Sequence, residues 1–161
     1  MDNGASSTIL SRKLRLVIEG EPKAIQSVRF ARRGKFTTKY QPEENTVWKA
    51  YIRHAAVTQL PAGWELMDGG VALSVLFVFY PTKAILSNKR KHAILSAGGE
   101  LYKITKPDLS DNLKKGLNDA LSGVVWSDDS RICHELSTKK VYGMRPRIEI
   151  EVFKVPSEAC G

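Results

Sequence analysis

The stretch that decides the reading runs Lys106-Pro107-Asp108-Leu109-Ser110-Asp111-Asn112-Leu113-Lys114-Lys115-Gly116-Leu117-Asn118-Asp119-Ala120-Leu121-Ser122-Gly123-Val124-Val125-Trp126-Ser127-Asp128-Asp129-Ser130-Arg131. Pro107 favours an extended Lys106, Ser110 or Asp111 can cap a helix, and Gly123 stops that helix just after Ser122. Leu113, Gly116, Leu117, Ala120 and Leu121 recur at helical spacing and are expected against a core. Asp111, Lys115, Asn118 and Ser122 line the opposite face, which predicts the Lys115 ammonium one turn above the Asp111 carboxylate. Asp128 and Asp129 return after a turn at Trp126.

Carboxylates from a loop, a helix start and the next strand make an oxygen-rich set, suited to Mg²⁺ or Mn²⁺ rather than zinc. The partial positive charge expected at the helix N-terminus would favour carboxylates such as Asp108 and Asp111 there. A cation held there polarises a phosphodiester and activates water, while Lys115 neutralises charge on the phosphate or the leaving oxygen. The same residues read equally well as a helix cap, its ion-pair partner and a turn.

Lys106-Pro107-Asp108, Asp111-Asn112-Leu113, Lys115, Asp119-Ala120-Leu121, Gly123, Trp126 and Asp128-Asp129 together resemble the signature of the RusA family of Holliday junction resolvases. Upstream, Pro22-Lys23, the basic run with Arg29, Arg32 and Arg33, and Thr37-Thr38-Lys39-Tyr40 with Pro42 resemble the family's N-terminal half, so the likeness covers most of the chain. The family usually separates its first two aspartates by one residue, whereas Leu109 and Ser110 both intervene between Asp108 and Asp111. In a strand-like Asp-x-Asp the carboxylates share a face, and an inserted residue turns the first away unless the backbone bulges. Lys115 keeps its place one turn after Asp111, and Arg131 stands where the family commonly has a neutral polar residue.

The resemblance implies a mixed sheet with helices on one side, a homodimer, and a Mg²⁺-dependent endodeoxyribonuclease acting on branched DNA, with Mn²⁺ as a substitute ion. Carried onto this sequence, it makes Asp108, Asp111, Lys115 and Asp129 catalytic and puts Asp108, Asp111, Asp128 and Asp129 around the metal. A dimer also has a mechanical rationale, because two sites on a two-fold axis match the symmetry of a four-way junction.

The bounds agree with this reading. The 161 residues read as a single domain over 1–161 with no linker or repeat, and tails 1–11 and 156–161 are expected to be disordered. A net charge of +8 makes a polyanion the expected partner. Cys133 and Cys160 lie far apart in sequence and form no disulfide framework or zinc spacing. No apolar run resembles a signal peptide or reaches the length of a membrane span, so the expectation is a cytoplasmic protein.

Along the chain, Leu14 to Glu19 alternates as a strand and ends at Gly20 and Pro22. A loop from Lys23 to Tyr40 carries Lys23, Arg29, Arg32, Arg33, Lys35 and Lys39 among Phe30, Phe36 and Tyr40, cations for phosphates and rings for exposed bases. It reads alternatively as a solvated loop or hairpin whose rings cover core. Glu43 to Leu60 is predicted helical with Val47, Ala50, Tyr51, His54 and Val57 on its apolar face, and His54 is given no role. Val71 to Tyr80, apolar on both faces, is predicted as the central strand. Asn88 to Ala97 is a short basic helix whose Lys89, Arg90 and Lys91, together with Lys106, are candidates to track a DNA backbone.

Neither Gly69-Gly70 nor Gly98-Gly99 continues as a phosphate loop, so no nucleotide cofactor is expected. Ile132 to Val141 and Arg147 to Val155 are predicted strands forming a hairpin, with Cys133 as a buried thiol and Ile148, Ile150 and Val152 on the core face. The expected class is therefore α+β, a small mixed sheet of about four strands with helices mainly on one face. The expected activity is Mg²⁺-dependent resolution of four-way junctions. The alternative is a branched-DNA-binding protein that lost cleavage through the Asp108 to Asp111 spacing, and a Ca²⁺ module ranks below both because the segment lacks an EF-hand's ligands.

Overall fold

The computed structural model describes residues 9–25, 29–40 and 43–161, with the backbone alone for 29–33 and 38–40. In chain order the elements are β1 (Ser11–Glu19), β2 (Arg29–Arg33), β3 (Phe36–Tyr40), α1 (Glu43–Val57), β4 (Val71–Phe79), α2 (Lys83–Ser87), α3 (Lys89–Ser96) and β5 (Leu101–Tyr102). A π turn (Leu109–Lys114), α4 (Lys115–Leu121), a 3-10 turn (Asp129–Arg131), β6 (Ile132–Tyr142), β7 (Arg147–Lys154) and a second 3-10 turn (Ser157–Ala159) complete it.

The fold is mixed α+β. Its main sheet has the order β1-β7-β4-β6-β5, with β4 and β6 parallel and the other neighbours antiparallel. β4 takes the centre, as its two apolar faces predict, and buries Val71, Ala72, Leu73, Val75, Phe77, Val78 and Phe79. Leu16, Ile150 and Val75 lie side by side across three strands, as do Ile18, Ile148 and Phe77. Each such side chain contributes about 1.5–3 kcal/mol on leaving water.

The small mixed sheet, expected at about four strands, has five, the fifth being the two-residue β5 at the edge, too short to show alternation. One expectation about the sheet needs correction: β6 and β7 do not form a hairpin, since β4 inserts between them, parallel to one and antiparallel to the other. The most apolar strand gains most from two neighbours, and that preference overrides the short connection at Tyr142–Arg147.

α1 packs on β1 and α4, but on a different face from the one expected. Asn45, Trp48, Ile52 and Ala56 are buried, whereas Val47, Tyr51 and Val57 are 62%, 45% and 56% exposed, and Ala50 and His54 are also exposed. Two apolar stripes adjoin on this helix, and the one with the larger Trp48 and Ile52 at i, i+4 packs inward. The helix stops at Val57, and Gln59 beyond it turns back to β1. Its amide oxygen accepts from the Val17 N–H at 2.9 Å and its nitrogen donates to the Val17 carbonyl at 2.8 Å, covering an otherwise open sheet edge.

The basic Lys23 to Tyr40 segment is partly a hairpin, β2 against β3, turning on Gly34 at φ +60. A helix missed by periodicity, α2, precedes the expected basic helix, and Asn88 between them caps α3 by accepting from the Lys91 N–H at 3.0 Å. At the C-terminus, residues expected to be disordered form the 3-10 turn Ser157–Ala159. Pairing with Lys154 carries β1 back to Ser11. Most of the expected N-terminal tail, residues 1–8, lies outside the described residues.

Candidate functional site

The crossover from β4 to β6 carries the acidic unit, and its helix begins differently from the sequence expectation. The Leu113 N–H donates to the Asp108 carbonyl at 3.2 Å, five residues back, so the chain opens in a π turn with Asp108 at its N-cap position. The extra residue between Asp108 and Asp111 is thus absorbed by a wider helical turn rather than by a bulge in a strand. α4 continues from Lys115 to Leu121, and Gly123 follows at φ +78.

Among the described residues no ion pair joins Asp111 to Lys115. Lys114 reaches Glu135 on β6 instead. Asp119 pairs with Lys49 of α1 at 3.7 Å. Asp108, Asp111 and Lys115 are all exposed.

Asp128 and Asp129 sit on a tight turn before β6. The Asp128 carboxylate accepts from the Ser130 N–H at 2.9 Å, and bonds from the Ser130 side chain and backbone hold its carboxyl below the ordinary 3.8. The fully buried Trp126 donates its indole N–H to Oδ1 of the exposed Asp129 at 3.3 Å. Asp68 braces the turn, accepting from the Ser127 hydroxyl at 2.7 Å and pairing with Arg131 at 3.2 Å. Arg131, which the sequence left without a purpose, thereby balances Asp68.

Two further anchors were not legible in the sequence. Asn112 holds the base of the basic arm, its side-chain nitrogen donating to the Ile25 carbonyl at 3.1 Å while its own carbonyl accepts from the Ile25 N–H at 3.5 Å. Lys140 of β6 donates to the carbonyls of Thr105 and Pro107, each at 2.7 Å, pinning the loop that delivers Asp108. Beside it, Lys103 donates to Thr105 at 2.8 Å and to the Tyr142 hydroxyl at 3.1 Å. Burial pushes the Tyr142 phenol up, but the bonds from Thr105 and Lys103 and the charges of Lys103 and Lys140 outweigh it, leaving the group below its ordinary 10.0. Asn112 at least lies inside the Asp-Asn-Leu motif, whereas a lone lysine on a strand gives no signal.

The candidate DNA contacts fall in three places. Lys23 stands at the arm's base with its ammonium 5.8 Å from the Trp48 ring centroid, and Lys35 is exposed at the hairpin turn. Arg29, Arg32 and Arg33 lie on β2 and Lys39 on β3. Lys89, Arg90 and Lys91 are exposed on the first turn of α3, and Lys106 is exposed in the loop before Asp108.

A family profile described as endodeoxyribonuclease RusA matches residues 19–153. The chain belongs to the RusA family. The uncharacterized protein YqaN of Bacillus subtilis (strain 168) is 30% identical over 142 residues, which cover 88% of this chain and 96% of that relative. RusA membership implies an endodeoxyribonuclease of the Holliday junction resolvase type acting on branched DNA, in a family that generally depends on divalent metal.

For this RusA chain the donor chemistry suits such an ion, because Asp108, Asp111, Asp128 and Asp129 offer exposed carboxylate oxygens. Among the described residues, however, no three His, Cys, Asp or Glu side chains gather into a metal-holding group. The loop before Asp108 is anchored near the last residues of β6, and Asp129 precedes its first residue. Mg²⁺ is commonly held by one or two carboxylates together with water and substrate phosphates, a mode that needs no preformed cage.

Proposed function

We propose that the chain is a Mg²⁺-dependent, structure-selective endodeoxyribonuclease that resolves Holliday junctions by paired phosphodiester hydrolysis in recombination and repair. It acts in the cytoplasm as a homodimer of single-domain subunits spanning residues 1–161. The observation that carries this reading is the pair of hydrogen bonds between Asn112 and Ile25, which ties the acid-bearing π turn to the arm holding Arg29, Arg32 and Arg33. Elements suited to gripping a phosphate backbone and elements suited to cutting it share one joint.

In this proposal one or two of the carboxylates of Asp108, Asp111, Asp128 and Asp129 would hold the ion together with water and a DNA phosphate, the loop before Asp108 and the Asp128-Asp129 turn standing at opposite ends of β6. When bound, the ion supplies charge to polarise the phosphodiester and lowers the pKa of water. Lys115, exposed and without an ion-pair partner among the described residues, neutralises charge that builds on the phosphate. The Trp126 indole keeps Asp129 oriented, and Lys140 keeps the Asp108 loop in place. Asp111→Asn is expected to bind a four-way junction with unchanged affinity yet fail to nick it with Mg²⁺. Cleavage at the normal rate by that variant removes Asp111 from the mechanism.

A second reading is favoured by one observation, the lack of any three-acid group among the described residues. It makes the chain a branched-DNA-binding protein without cleavage. Junction binding with no nicking by the unaltered chain, in either Mg²⁺ or Mn²⁺, selects it.

A further inference from the structure

Cys133 and Cys160, distant in sequence, meet at one glycine. Val71 pairs with Ile132, which brings the start of β6 beside Gly70, and the Val155 N–H donates to the Gly70 carbonyl at 2.9 Å, which brings the C-terminal segment there too. A Cβ built on Gly70 would lie 2.9 Å from Cys160 Sγ and 3.3 Å from Cys133 Sγ. The separation of the two sulfurs therefore cannot exceed the total of those distances, and a side chain at position 70 would crowd both. Both thiols are free and exposed, against the expectation of a buried Cys133. Their only described bonds are long ones, Cys133 to the Val71 carbonyl at 3.7 Å and Cys160 to the Pro156 carbonyl at 3.5 Å.

We propose that Cys133 and Cys160 form a dithiol modification site, which a hydroperoxide closes into an intrachain disulfide fastening the Ser157–Ala159 turn to the start of β6. One thiolate attacks the peroxide, the O–O bond breaks, and a sulfenic acid and hydroxide form. The second thiolate attacks the sulfenic sulfur, the S–S bond forms, the S–O bond breaks, and the departing hydroxide takes a proton. Two thiols and one hydroperoxide thus give one disulfide and two molecules of water when hydrogen peroxide is the oxidant. In a reducing compartment the pair stays open until such an oxidant arrives. The inference is independent of the nuclease reading.

The test uses the purified full chain, reduced and then given one equivalent of hydrogen peroxide, with intact mass, thiol alkylation and peptide mapping as readouts. The expected result is joint loss of both alkylatable thiols, a mass lower by two hydrogens, and a peptide pair linking Cys133 to Cys160. Cys133→Ser and Cys160→Ser should each abolish the intrachain link. In denaturant the closure should slow at least roughly tenfold, because the folded chain supplies the proximity. Oxygen added to each sulfur without a link, a link found only between chains, or equal rates folded and denatured would overturn the proposal.

Discussion

At the residue scale, the turn before β6 depends on two small contacts. Trp126→Phe keeps most of the buried ring but deletes the indole donor to Asp129. It is expected to cost about 1 kcal/mol of stability and to slow junction cleavage by roughly tenfold with little change in binding. Urea unfolding and single-turnover kinetics measure the two effects, and an unaltered rate would show that Asp129 needs no fixing. Asp128 titrates below its ordinary value because the Ser130 bonds favour its ionised form. A depressed folded-state pKa means that this stabilisation is present above the unfolded pKa and lost as pH falls through the folded one. Carbon NMR of the Asp128 carboxyl should therefore show a midpoint below 3.8, and Ser130→Ala should move it upward and lower stability slightly at neutral pH but not at a pH well below the folded midpoint.

At the element scale, the joint between arm and helix is tight. A Cβ on Gly116 would stand 2.5 Å from Ile25 Cγ2, closer than packed atoms allow. Gly116→Ala gains about 1 kcal/mol of helix propensity but overpacks a branched side chain, at a cost of about 1–3 kcal/mol, so net destabilisation is expected. Adding Ile25→Ala should relieve the clash, and a double-mutant cycle by urea melts should show the coupling. Additive effects would mean that the two elements do not press on each other.

The same scale shows what sequence could reveal. Alternation in Leu14, Leu16 and Ile18 and in Ile148, Ile150 and Val152 identified the core faces of β1 and β7, and the two-sided apolarity of β4 placed it centrally. Strand order was hidden, because β4 entering between β6 and β7 reflects shared burial across the sheet and leaves no local pattern. On α1, Val47 and Tyr51 have the same periodicity as Trp48 and Ile52, so pattern alone could not choose the buried stripe. The π turn left one trace, the extra residue between Asp108 and Asp111, and its five-residue hydrogen bond became visible only with the backbone.

At the scale of the whole molecule, a charge of +8 and a basic hairpin joined to the acidic turn predict binding dominated by phosphate contacts. Replacing Arg32 and Arg33 with alanine should weaken junction binding and reduce the salt slope by roughly one unit for each lost contact, read by titration over a salt series. An unchanged slope would place the DNA surface elsewhere. The exposed, ungathered acids also predict weak Mg²⁺ binding by the free chain, which calorimetry should show to strengthen when junction DNA with a non-cleavable backbone is present. The central claim is tested most directly by incubating the purified chain with a labelled immobile four-way junction and, separately, with linear duplex of the same sequence, with and without Mg²⁺. The account predicts paired, symmetrically placed nicks in the junction only when Mg²⁺ is present and none in the duplex. An intact junction under all conditions, or duplex cut as readily as junction, would contradict it.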